Sequence, residues 1–196
     1  MLSVFAAATT AGVPIGRAED GAVFGFDLCR LTPTRMAMIT DLGVAKVLAL
    51  RALSSGAVVE IVTDRPQGWS PVPALAETMT ERLVLHGLDD TDPALPAGSP
   101  VLTFHDAGVA PQDPPSPRSS NHTLVHVLPG VHPRAAALLR DCNPVLVAGL
   151  VSLQAKTLAT LLGLGEWAVD EFGGLTAAQV CVLSRGRMVR LTVDSG

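Results

Sequence analysis

Charge is what this sequence has least of: 16% of its 196 residues are charged and 4% are aromatic, while 48% are apolar and the mean hydropathy is +0.39. So greasy a composition excludes an intrinsically disordered chain. Fourteen basic residues stand against eighteen acids, spread along the chain for a net charge of −4, and no basic stripe forms. Nucleic acid is therefore not expected as a partner. Long apolar runs are lacking too. A membrane-spanning helix needs about 20 consecutive apolar residues, and the nearest stretches, 145–153 and 158–164, are broken by Ser152, closed by Gln154 or shorter still. The apolar opening, 1–16, carries Thr9, Thr10 and Pro14 and lacks the basic start of a secretory signal, so it reads as a lead-in. Cysteine pairs are also missing. Cys29, Cys142 and Cys181 are odd in number, far apart and set in apolar segments, which predicts buried free thiols and a cytosolic placement.

What is present is an alternation of short apolar strands and helices. Segments 22–31 and 36–40 read as strands, 41–55 as a helix closed by Gly56, and 57–63 as a β-branched strand. Strand, helix, strand in so short a span is a βαβ unit with parallel pairing. Further on, 73–80 reads as a short helix, 82–86 and 101–105 as strands, and 106–121 as an exposed loop rich in proline and serine. The pattern continues with a strand at 122–128, a helix at 133–141, a strand at 144–148 and a helix capped by Ser152 and running to Leu162. Two last strands, 178–184 and 188–193, form a hairpin around Arg185-Gly186-Arg187. The expectation is one α/β domain over 1–196, a three-layer, mostly parallel sheet of the P-loop or Rossmann kind with a C-terminal antiparallel hairpin.

In such folds ligands bind where strand C-termini meet helix N-termini, which directs attention to 40–46. A phosphate-binding loop reads G-x-x-x-x-G-K-[ST], its glycines curling backbone amides round the phosphates and its hydroxyl ligating Mg²⁺. Here Thr40 and Ala45 replace the glycines, Val47 replaces the hydroxyl, and Asp41 adds a negative charge. Lys46 alone keeps its place, with Gly43 as a flexible point, so these two are candidates only for holding an anion at the helix N-terminus. Asp106, at the end of an apolar strand, stands where P-loop proteins hold Mg²⁺, but no glutamate follows it. No cofactor is expected, Mg·ATP is disfavoured, and the chain reads as a non-enzyme. His122 and His126, four residues apart on a strand, with His105 and Asp106 on a neighbour, could converge at a sheet end. Yet four residues along a strand span about 13 Å, too far for one metal ion. Trp69 and Trp167, in loop-like surroundings, are candidate anchors for a protein partner.

The run 12–21, the following strand, the degenerate loop and Val58 to Asp64 together resemble FtsK/SpoIIIE-type ATPase domains, notably EccC of actinobacterial type VII (ESX) secretion. A second likeness is to EccE-type components of the same machines, carried by Arg51-Ala52-Leu53, Gly56-Ala57 and Thr63-Asp64-Arg65-Pro66. The two lysines against twelve arginines resemble usage in GC-rich genomes such as those of actinobacteria. What the resemblance implies is a degenerate P-loop domain on the cytosolic side of a membrane-embedded machine, contacting its other subunits or further copies of itself. Any membrane attachment would come through those partners or a preceding segment. The alternative is a nucleotide sensor or Rossmann-like enzyme using the strand ends near Thr40, Asp64 and Asp106.

Overall fold

The computed structural model describes residues 12–28, 32–90, 98–108 and 115–193. One ten-stranded sheet runs through it. Strands β1 (Gly12–Arg17) and β2 (Val23–Asp27) lead into β3 (Thr34–Ile39), helix α1 (Leu42–Ser54) and β4 (Val58–Thr63). Two short helices, α2 (Pro66–Trp69) and α3 (Pro71–Leu75), and a 3₁₀ segment (Glu77–Arg82) precede β5 (Leu83–His86), β6 (Val101–Asp106) and β7 (His122–Leu128). A 3₁₀ turn (Pro133–Ala135) opens α4 (Ala136–Asp141), followed by β8 (Val145–Ala148), α5 (Ser152–Leu161), α6 (Trp167–Gly173), β9 (Gln179–Ser184) and β10 (Arg187–Thr192). The sheet order is β2-β1-β10-β9-β8-β3-β7-β6-β4-β5. Strands from β8 to β5 in that order pair in parallel; β8 to β2 pair antiparallel.

The sheet is the middle of three layers. Because side chains alternate faces along a strand, Met36, Met38, Val59, Ile61, Leu102, Phe104, Val125 and Val127 all point one way, where they pack with Leu48, Ala49, Ala52 and Leu53 of α1 and with Trp69 and Val72 of the short helices. Ala37, Ile39, Leu128, Val145, Val147, Cys181 and Leu183 point the other way and are covered by α4, α5 and α6. Among the described residues no helix is long and apolar enough to cross a membrane. Hydropathy instead goes into the two cores, as in α1, whose buried side is Ala45, Leu48, Ala49, Ala52 and Leu53.

Several elements differ from the sequence reading. The lead-in contains β1, which pairs with β2 and β10 and is pinned to α1 by Arg51, whose Nη1 donates to the carbonyls of Pro14 (3.1 Å) and Ile15 (2.7 Å). A Cβ at Gly16 would lie 2.3 Å from the Thr192 carbonyl oxygen, so glycine lets β1 close on β10. Ser152 is the first helical residue of α5 rather than its cap; Val151 holds the cap position and makes no side-chain bond. The glycine-rich stretch around Trp167 folds as α6. In the terminal hairpin Arg187 pairs with Ser184, leaving Arg185 (φ 48°) and Gly186 (φ 75°) as a two-residue turn with both angles positive, the geometry that matches strand twist. Cys142 and Cys181 are free and buried, and burial pushes each thiol up to about 12. Cys29 lies outside the described residues.

Candidate functional site

In an open α/β sheet the ligand crevice lies where neighbouring strands send their onward connections to opposite faces. Here those strands are β3, continued by α1 on one face, and β7, continued by α4 on the other. The Thr40 amide donates to the Leu128 carbonyl at 3.1 Å and ties the two strand ends together. Only Thr40 and Asp41 separate β3 from α1. Most of the stretch that aligns with a phosphate-binding loop is thus the first turn of the helix, whose Gly43 amide is taken by Asp41.

The start of that helix is capped from within. Asp41 has the extended backbone of an N-cap (φ −66°, ψ 172°), and its Oδ1 accepts the Gly43 amide at 2.9 Å. A helix N-terminus favours an anion by only about 0.3–1 kcal/mol. One negative charge within about 4 Å of the Asp41 carboxylate would lose about 4 kcal/mol at an effective dielectric of 20. Asp41 thus counts against an anion at this helix N-terminus, where Gly43 and Lys46 were the candidates to hold one. Lys46 sits half-buried in the helix and makes no hydrogen bond or ion pair with the described residues. The Thr40 hydroxyl is buried without a partner, and Asp64 is exposed at the end of β4.

Asp106 closes β6 and is fully buried. Its Oδ2 accepts from Arg65 Nε (2.8 Å), Trp69 Nε1 (2.9 Å) and Thr63 Oγ1 (3.1 Å), and its Oδ1 accepts from Arg65 Nη2. A carboxylate offers about four lone-pair directions, two on each oxygen; three donors crowd Oδ2, and Oδ1 takes one and keeps one direction unused. The same chain carries the cation, since the bond to Asp106 raises Arg65 above its ordinary pKa and keeps it charged. Trp69 is the correction to the expected surface anchors: its ring is wholly buried, packed 5.5 Å from Phe104, and its N–H is committed to Asp106. Trp167 is half-exposed (52%) at the start of α6.

The opposite face of the same strands holds a second polar constellation. Glu60, in the middle of β4, is fully buried and accepts from Thr103 Oγ1 (2.5 Å), His86 Nε2 (3.1 Å) and Arg118 Nη2 (3.0 and 3.2 Å). Burial alone would push its carboxyl up, but the bonds from Thr103, His86 and Arg118 outweigh that and hold it below its ordinary value. The Thr103 hydroxyl, donating to Glu60, can only accept from His122 Nε2 (2.9 Å), and His122 Nδ1 accepts the Arg118 amide (2.7 Å). Those roles fix His122 as the neutral Nε2–H tautomer. His105 and His126 lie on this face as well, rings 5.5 Å apart edge to face. Asp106 does not join them, because consecutive strand residues point to opposite faces. Among the described residues no group of three His, Cys, Asp or Glu side chains can hold a metal ion.

The sequence reading missed Glu60, Arg35, Arg65 and Arg118. The signal for Glu60 was available: a lone acid inside a β-branched apolar strand must be buried and therefore paired. The arginines gave no signal, because their partners lie 41 to 81 residues away.

The architecture is that of a P-loop NTPase-like α/β domain. A structure of VirB4 from Thermoanaerobacter pseudethanolicus matches with a TM-score of 0.60 at 10% identity, covering 96% of this chain and 98% of that one. A protein described as an ATPase matches with a TM-score of 0.51 at 14% identity, over 93% of this chain and 86% of the other. EccC from Thermomonospora curvata, its ATPases 2 and 3 in complex with a signal sequence peptide, matches with a TM-score of 0.54 at 13% identity. That match covers 93% of this chain and 40% of EccC. No protein-family model matches the sequence, and no curated protein matches it.

Proposed function

We propose that this chain is a non-catalytic, P-loop-derived domain of a secretion machine, acting through protein contacts rather than nucleotide turnover. The observation that carries the reading is the pair of occupied positions at the strand ends. The helix N-terminus that would face phosphates is capped by Asp41, and the acid that would hold Mg²⁺ through water is already held by Arg65, Trp69 and Thr63. Phosphoryl transfer depends on cationic stabilisation of the transferring group, and here neither position is open to supply it. The likeness in fold to VirB4 and EccC supports a place in secretion, and the Arg51 to Pro66 passage favours a type VII component of the EccE kind on the cytosolic side. Half-exposed Trp167, at the start of α6, is the side chain offered to other subunits.

Isothermal titration of the chain with Mg·ATP, paired with a phosphate-release assay, tests this. The expected result is neither binding heat nor turnover. Micromolar binding with turnover abolished by Lys46→Ala would overturn it. Retention of the chain by the machine's membrane subunits, lost on Trp167→Ala, is the expected positive result.

A further inference from the structure

Five buried side-chain polar atoms among the described residues have no hydrogen-bond partner, and four of them fall in one place: Arg35 Nε, His105 Nδ1 and both ring nitrogens of His126. The sheet register explains the convergence. His105 pairs with His126 across β6 and β7, His126 pairs with Ala37 of β3, and Arg35 lies two residues before Ala37 on the same face. His126 is fully buried, the Arg35 side chain is 19% exposed, and His105 is half-buried.

An unmade hydrogen bond at a buried polar atom costs about 1–3 kcal/mol, and native proteins leave few such atoms unexplained. Four together call for an occupant, and the surrounding charges select its kind. Arg35 is a permanent cation. Its Nη2 meets only neutral acceptors, the Pro115 carbonyl (3.1 Å) and Ser116 Oγ (2.8 Å), and its nearest carboxylate, Asp141, is 68% exposed at 3.8 Å. Glu60, further along the face, is already matched by Arg118 and His86 with Thr103, and His122 is held neutral. The cluster therefore carries a positive charge that only exposed Asp141 offsets, together with idle donors. A metal cation would be repelled by the guanidinium. Burial, with the charges of His105 and Arg35, pushes His126 down to about 3, and burial lowers His105 as well, so both rings are neutral until an anion arrives.

We propose that Arg35, His105 and His126 form a binding site for a phosphate-type oxyanion, with Arg35 supplying the charge and the two imidazoles supplying N–H donors. The site is on the face opposite Asp106 and does not depend on the absence of catalysis at the strand ends.

The test is NMR observation of the histidine rings in the full chain during titration with inorganic phosphate. Saturable shifts are expected at His105 and His126 and not at His132, which lies outside the cluster, with the His126 protonation midpoint rising by about one unit or more as the anion stabilises the imidazolium. Arg35→Met should abolish the response and Arg35→Lys should retain part of it. Should Arg35→Met fail to fold, the wild-type titration and His105→Ala, a half-buried change expected to weaken binding several-fold, still decide. Rings unmoved by phosphate, shifts produced by Zn²⁺ instead, or a phosphate response that survives Arg35→Met would each overturn the proposal. Titration with ATP separates a free oxyanion from a nucleotide: shifts at these rings lost in Arg35→Met but kept in Lys46→Ala assign the nucleotide to this face rather than to the strand ends.

Discussion

Asp106 and His126 sit on adjacent parallel strands, both fully buried, on opposite faces of one sheet, and they have opposite fates. Asp106 accepts from Arg65 twice, from Trp69 and from Thr63; His126 has neither ring nitrogen bonded. A satisfied buried charge is a fixture of the fold, and removing one partner leaves the others stranded. An unsatisfied buried polar group, such as the neutral ring of His126, destabilises the fold as it stands and marks where something else belongs.

The largest expected effect tests the second half of that contrast. His126 is held at about 3 against an ordinary 6.5, so between those values the unfolded chain binds a proton that the native one does not. Stability should therefore be full above about pH 6.5 and fall as the solution is acidified towards pH 3, by up to about 5 kcal/mol. His105 acts in the same direction. Glu60, whose pKa is lowered in the fold, adds a further loss only below the ordinary carboxylate range. Urea denaturation across this range checks it, and His126→Leu should flatten the acid limb while leaving stability at pH 7 unchanged or raised.

On the other face, Asp106→Ala should destabilise by about 2–3 kcal/mol, below the usual 3–5 for breaking a buried pair because Arg65 is 41% exposed and can turn to solvent. Trp69→Phe, which keeps the ring but removes one donor to Asp106, should lose about 1 kcal/mol. An Asp106→Ala variant as stable as the wild type would mean that the Arg65 pair is surface decoration and would dissolve the comparison. Asp41→Ala should lose about 1 kcal/mol as an N-cap, and Lys46→Ala, on a side chain with no partner, should change the denaturation midpoint by less than about 0.5 kcal/mol in equivalent stability.

The legible parts of the fold were those in which local pattern and tertiary role coincide. Segments 57–63 and 122–128 are β-branched or apolar except at Glu60, His122 and His126 because they are covered on both faces, and the structure places strands at Val58–Thr63 and His122–Leu128. The helix from Leu42 reads clearly because its Asp cap and apolar side are local features. Strand β1 was not legible. Gly12, Pro14 and Gly16 give it poor strand propensity, and what holds it is pairing with β10 and an arginine from α1, both far away in sequence. At the candidate site, the loss of glycines and hydroxyl around Lys46 was plain in the residues, whereas the shortness of the β3–α1 connection was not. The face of Asp106 could have been read from strand alternation; that a distant arginine would occupy it could not.

Arg65 has one more consequence. A magnesium ion arrives and leaves with its nucleotide, so a protein that leans on one changes shape with the cell's energy supply. A guanidinium 41 residues along the same chain has a local concentration that never varies. The corner at Asp106 is thereby held by the chain's own side chains from the moment it folds, with a cation that no dilution removes.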